Sequence, residues 1–515
     1  MRHYIGIFFI ILIAFFSSCR NDFDFETSNG GLLFSKDTVY LDTVFTNIGS
    51  STYSLKVYNT SSKNISIPSI RLHKGQASKY RLMVDGISGN EFTNIEMLAK
   101  DSMFVFIEVT TDVALANPTD FLYTDYIEFG NGTNLQKVEL VTLIQDAFFL
   151  YPKKFSNGST ETLPIGDDEI YGFYLDENDP INGNELIWNN TKPYVVYGYA
   201  AVPPNKTLTV NAGARVHFHA ESGLIVANNA SLQVNGDFST TEALENEVIF
   251  EGDRLEPDFS EVPGQWGTIW FTQGSTANTI KNLTLKNASV GLLISGNDGT
   301  TTPSLTLKNT QIYNCSNVGI LARTGNITGK NVVTNNCGEA GLACTLGGFY
   351  EFTHCTFANY WGNPNQTCVL LNDNLETSEG VLVEALTQAN FINCIMYGSS
   401  SIGISHKALG NSFNFKYSNC LIKFIDPNSQ FVGNELYDFS NNTLFENCLI
   451  ASTSLLNQPN FFETNNNKLI IGENSAAINQ GLNLEPNFND ILNKTRAANS
   501  NTNPDLGAYN FIVFD

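Results

Sequence analysis

Charge is scarce in this 515-residue chain, and positive charge scarcer still. Only 15% of residues are charged, and 28 Lys and Arg stand against 51 Asp and Glu, a formal net charge of −23. Without clustered cations the chain is a poor partner for nucleic acid, whose phosphates need Lys and Arg. The same shortage argues against adhesion to an anionic membrane through a basic patch. Methionine is rare, at five, and polar runs are short, which argues against a helical protein. No two cysteines have C-x-x-C spacing, so a redox pair or zinc site of that pattern is missing. Beyond residue 16 no stretch is apolar for long enough to cross a bilayer.

Strand formers and turn formers are abundant instead. With 42% hydrophobic residues, 37 Phe, 20 Tyr and 40 Gly, the composition excludes wholesale disorder and reads as all-β. The length calls for two domains and a leader.

Arg2 and His3 precede an apolar run, Ile5 to Phe16, with the layout of a secretory signal over residues 1–18. Ser17-Ser18-Cys19 resembles a lipobox, which makes Cys19 the lipidated first residue of the mature protein. Residues 19–30 then form an acidic tether through Asp22, Asp24 and Glu26, similar to the surface-export tether of Bacteroidota lipoproteins. Together these imply a lipid anchor in the outer membrane and display at the cell surface.

Residues 31–150 alternate as strands do. Thr38–Phe45, Tyr53–Tyr58, Met103–Val109 and Lys137–Val141 predict an antiparallel β-sandwich that resembles Ig-like modules of bacterial surface proteins. A linker and N-terminal cap follow over 151–195.

From 196 to 465 the pattern is that of a solenoid. Leu208-Thr-Val210, Val216-His-Phe218, Leu224-Ile-Val226 and Leu232-Gln-Val234 are apolar pairs about eight residues apart, separated by glycines. Lys286-Asn287, Lys308-Asn309 and Lys330-Asn331 recur every 22 residues, a length that suits one coil of a right-handed parallel β-helix. Stacked Asn residues would pass amide hydrogen bonds from coil to coil, and stacked apolar residues would fill the interior. The eight cysteines after Cys19 lie between 315 and 448. Cys315, Cys337, Cys394, Cys420 and Cys448 all follow Asn and are expected in one inward column, as free thiols rather than disulfides.

Gly252-Asp-Arg-Leu-Glu256, Pro263-Gly-Gln-Trp-Gly267, Gly213-Ala-Arg-Val-His-Phe-His219 and Asn359-Tyr-Trp361 resemble a Bacteroidota family of right-handed parallel β-helix lipoproteins, a pectate-lyase-like solenoid. Asp490 through Arg496 and Pro504-Asp-Leu-Gly-Ala-Tyr509 resemble the closing segment of β-helix surface proteins, which makes 466–515 a C-terminal coil and cap. The resemblance implies a fold, not an activity.

Several groups are candidates for chemistry. His217 and His219 share one face of a strand and could share a metal, though no third ligand is evident. Lys286, Lys308 and Lys330 would stack as a basic stripe that an anion such as a uronate or phosphate relieves, or stay as solvated lysines. Tyr360 to Ala389 breaks the repeat, and Trp361, Asp373 and Glu376 there suit sugar recognition on a protruding loop. Asp176, Asn178 and Glu185 belong to an oxygen-rich loop able to hold calcium, the one cofactor envisaged, although it lacks the pattern of an EF-hand. A β-helix lyase needs carboxylates and a cationic base, and a hydrolase paired acids. Between 280 and 450 there is no Asp-Asp pair, and Arg323 is the only Arg. No catalytic residue is assigned. The leading reading is a non-catalytic protein that binds a polysaccharide or an envelope partner; a polysaccharide lyase or hydrolase, or a scaffold for envelope assembly, are the alternatives.

Overall fold

The structure is a computed structural model describing residues 24–514, apart from 47, 112–119, 167, 379, 411, 485, 487 and 497–502. The expected signal and Cys19 therefore lie outside the described residues. The acidic tether is only partly described, and Glu26 in it is docked: Glu26–Thr27 pairs with Ile65 and Ser66, and Lys63 bonds the Glu26 carboxylate. The chain divides into two compact units at Asp146 and Ala147. Among the described residues there is no α-helix.

The first unit is two sheets on one core. Alternation puts Val39 and Leu41 of one sheet against Leu55, Val57, Val105 and Ile107 of the other. The expected antiparallel order fails at two places. Thr38–Phe45 runs parallel to Gln136–Gln145, and Glu26–Thr27 runs parallel to Ile65–Leu72. Alternation fixes which side chains point inward but is silent on strand direction.

The second unit is a stack of coils in which 26 strands join in one mostly parallel sheet, the arrangement of a β-helix. Three ladders run up it. The first passes through Tyr194–Val196, Arg215–Phe218 and Val248–Gly252; the second through Tyr199–Val202, Gly223–Val226 and Ile269–Phe271; the third through Thr207–Asn211 and Ser231–Asn235. The apolar pairs point inward as expected, with Leu208, Val210, Val216, Phe218, Leu224, Val226, Leu232 and Val234 all buried. Phe352, Phe391, Tyr417 and Phe445 then stack ring on ring, with centroids 5.6, 4.9 and 5.5 Å apart. The stack begins earlier than residue 196: Phe148–Leu150 already pairs with Tyr194–Val196. Long irregular loops in that first coil hide its period.

The corner where the third ladder turns into the first explains the asparagines. Asn282, Asn309, Asn331, His354, Asn393, Asn419 and Asn447 occupy it in successive coils, all with φ between 49 and 56°. Asn tolerates this left-handed conformation better than most residues. Its amide also bonds the coil below: Asn309 Nδ2 donates to Asn282 Oδ1 and Asn331 Nδ2 to Asn309 Oδ1, both at 2.8 Å.

Six of the eight cysteines form two columns, not one. Cys315 and Cys337 pair at the next corner, beyond the first ladder. Cys355, Cys394, Cys420 and Cys448 follow the first corner, where Cys355 N donates to Cys394 Sγ at 3.4 Å. At both corners the residue before the Cys is left-handed and mostly Asn, so the local pattern does not distinguish them. All eight are free thiols, and burial pushes the Cys344 thiol well above its ordinary value, which makes it a poor nucleophile.

The C-terminal segment runs back along the outside of the first ladder. Leu469, Ile491, Ala508 and Tyr509 pack on Tyr313, Val333 and Ala358, and Ile471, Ala477 and Leu506 pack on Ile395, Tyr397 and Leu421. The motif residues pin this strap. Asp490 accepts from Lys494 N at 2.7 Å and Asn510 N at 2.9 Å, and the buried Arg496 donates to Asn331 Oδ1 at 2.8 Å.

Candidate functional site

The lysine stripe is out of register. Lys281, Lys308 and Lys330 are the stacked residues, whereas Lys286 stands beside Tyr313 on the first ladder. The coil from Asn282 to Asn309 spans 27 residues and the next, to Asn331, spans 22, because a loop over 296–304 lengthens the earlier coil. A 22-residue count extended one coil too far therefore selects Lys286. Its ammonium bonds Glu251 at 3.0 Å, and Lys330 lies 5.2 Å from the Phe488 ring. Of the three expected lysines the structure therefore stacks Lys308 and Lys330 and places Lys286 apart from them.

The other sequence candidates are also dispersed. Asp176 accepts from Asn178 N at 2.9 Å, and Glu185 accepts from Asp176 N and Asn182 Nδ2, both at 3.0 Å. These oxygens close their own turn, and burial raises the Glu185 carboxyl above its ordinary value. No three Asp, Glu, His or Cys side chains gather as metal ligands among the described residues. Asp373 is fully buried and accepts from Leu409 N and Gly410 N, anchoring a hairpin of Asn374–Thr377 and Gly380–Val383. Glu376 on that hairpin is exposed and pairs with Lys407. His217 is buried against Glu251, at 3.7 Å, and His219 bonds Asp253 at 2.7 Å. Each histidine thus has its own carboxylate.

What the structure does gather lies elsewhere, near the C-terminal end of the stack. Beyond the strand Leu421–Lys423 the chain leaves the repeat as a loop. Asp426 shapes it by accepting from Gln430 N and Phe431 N, both at 2.9 Å, and Asn434 caps the turn Glu435–Tyr437. The loop brings Phe431 and Phe439 to Phe424, with centroids 5.3 and 5.0 Å away, and Phe431 to Tyr437 at 4.7 Å. Tyr437 stacks on buried His406, whose imidazole burial holds down at about 4 and therefore neutral.

Two cavities share Phe431 and Tyr437 as a common wall. The first, about 580 Å³, is completed by Phe424, Phe439, Asp426, Glu435 and Asp438. The second, about 410 Å³, is lined by Asn365, Gln366, Thr367 and the serines 399, 400, 401 and 405. Gln366 donates to Asn359 O at 3.3 Å and to Ser399 Oγ, while its own carbonyl oxygen is buried without a partner. Aromatic surface beside hydroxyl, amide and carboxylate groups matches the two faces of a pyranose, apolar C–H and polar O–H. Trp361 opens the loop whose far end, Pro364 to Thr367, lines the second cavity. Only the vicinity of Trp361 was legible in advance. Phe431 and Tyr437 lie in irregular chain with no periodic signal.

No protein-family model and no curated protein matches the chain. Among solved structures, the catalytic unit of a GH87 α-1,3-glucanase from Streptomyces thermodiastaticus is 10% identical, with 71% of this chain and 73% of that one covered at a TM-score of 0.27. A GH87 α-1,3-glucanase catalytic domain in complex with tetrasaccharides is 12% identical over 73% of this chain and 82% of that one, at a TM-score of 0.21. A family 123 glycoside hydrolase from Clostridium perfringens is 8% identical at a TM-score of 0.16, over 24% of this chain and 31% of that enzyme. Similarities this loose carry no argument about this chain's chemistry.

Proposed function

We propose that the protein is a surface-displayed outer-membrane lipoprotein, anchored through Cys19, whose right-handed β-helix captures a glycan without cleaving it. The wall of Phe431 and Tyr437, shared by a carboxylate-lined and a hydroxyl-lined cavity, carries the reading. The first unit has the role of an Ig-like spacer in this scheme. Among the described residues, the two carboxyl groups that burial raises, as a general acid requires, are Glu185 and Glu247. Both lie outside the cavities, the first in its own turn and the second beside Thr284.

The test is a panel of neutral, acidic and amino polysaccharides, with binding and release of reducing or unsaturated ends followed together. Binding without product, weakened at least tenfold by Phe431→Ala, is the expected result. Product would overturn the non-catalytic reading, and no binding to any member would overturn the glycan reading.

A further inference from the structure

The two cavities differ in charge. The second is lined by neutral amides and hydroxyls. The first carries Asp426, Glu435 and Asp438, and no Lys, Arg or His is among the residues that line it. Glu435 makes no side-chain hydrogen bond or ion pair among the described residues, and Asp438 commits one oxygen to Ser440. Three like charges around one cavity repel one another, weakly where water reaches them, and a bound cation would offset that repulsion.

The kind of cation follows from the geometry. The carboxylates do not converge as metal ligands. They stand around Phe431 and Phe439, both only partly covered, whose ring faces attract positive charge. Dispersed carboxylates around aromatic faces suit a diffuse organic cation better than a compact metal ion, which needs several oxygens at bonding distance.

Building on the glycan reading, we infer that the first cavity receives a protonated amine on the ligand, so that the bound unit is an amino sugar with a free amine. The neighbouring cavity takes a neutral sugar ring. Uronic-acid polymers are excluded by the same charges.

Titration calorimetry on the full chain separates these ideas. Glucosamine oligomers, their fully N-acetylated equivalents and oligogalacturonate of one length are compared at low and high salt, with tetraethylammonium as a non-sugar cation. The free-amine oligomer is expected to bind at least tenfold more tightly than the acetylated one, with the advantage shrinking in salt. Glu435→Gln with Asp438→Asn, both exposed positions, should abolish that advantage, so that the two oligomers bind the variant with equal affinity. Equal affinity for both oligomers, or tight binding of oligogalacturonate, overturns the amine inference while the glycan reading stands. Tetraethylammonium binding that the double variant removes, with no oligomer bound, upholds the cation site and overturns the glycan reading. Silence in every arm overturns both.

Discussion

One outer face of the coil stack is built in two ways. Along the first ladder the outward residues run His217, Glu251, Lys286, Tyr313 and Asn335 from coil to coil. Up to Lys286 the face is charged and satisfies itself, with Glu251 set between His217 at 3.7 Å and Lys286 at 3.0 Å. From Tyr313 onward it is largely apolar, and the C-terminal strap covers it. The backbone ladder is the same in both halves. Outward side chains alone decide whether a stretch of coil stands in water or needs a cover, because exposed apolar area is unfavourable at about 25 cal/mol per Å².

Breaking the cover should have the largest effect. Arg496 Nη2 donates to Asn331 Oδ1, Gly507 O and Ala508 O from full burial, with Asp490 and Asp505 supplying the compensating charge. Arg496→Ala removes these bonds and leaves that negative charge uncompensated, a loss of about 3–5 kcal/mol. Denaturant titration and hydrogen exchange would show it as early opening of Val333, Ala358 and Tyr397, with the His217 half still protected. Uniform loss across both halves would mean that the strap supports the whole stack.

The two halves were also unequally legible. The inward pairs from Leu208 to Val234 declared themselves because period-two alternation and coil spacing are local. The strap's motif stood out as Asp490 to Arg496 and Pro504 to Tyr509, but its place did not, since nothing in a segment names the face it will cover. A fixed 22-residue period selects Lys286 because one coil carries a loop, and Cys315 shares its local pattern with Cys394 because two corners share one backbone need. Of the paired cavities only the break in the repeat near Trp361 leaves a pattern; an aromatic loop outside the repeat has only its composition to show.

Acid should sharpen the contrast. His354, under the strap, is held well below its ordinary value by burial and then by Arg496, and its Nε2 meets Asn393 Nδ2 at 2.9 Å. Above about pH 6.5 it is neutral in folded and unfolded chains alike. Below that, the unfolded chain takes up a proton that the fold refuses. Stability therefore falls as pH falls from about 6.5, by at most about 1.4 kcal/mol per pH unit for one such group. His217 is lowered by burial too, yet Glu251 opposes the shift. Exchange measured at pH 7 and pH 5 should show the strap-covered coils loosening more than the charged half. The reverse order would assign the acid sensitivity to His217.

The smallest effect belongs to the open half itself. Glu251 and Lys286 keep roughly a quarter of their side-chain surface in water, 24% and 20%. Glu251→Gln should therefore lower stability by about 0.5–1 kcal/mol at neutral pH, and added salt should erase most of the difference. The variant also removes the charge that keeps His217 from sinking further, so its loss of stability in acid should continue to lower pH than in the parent. A loss of several kcal/mol would show instead that the ion ladder is as structural as the strap. The two halves of the face would then be alternative solutions of equal weight rather than a cover and a surface that needs none.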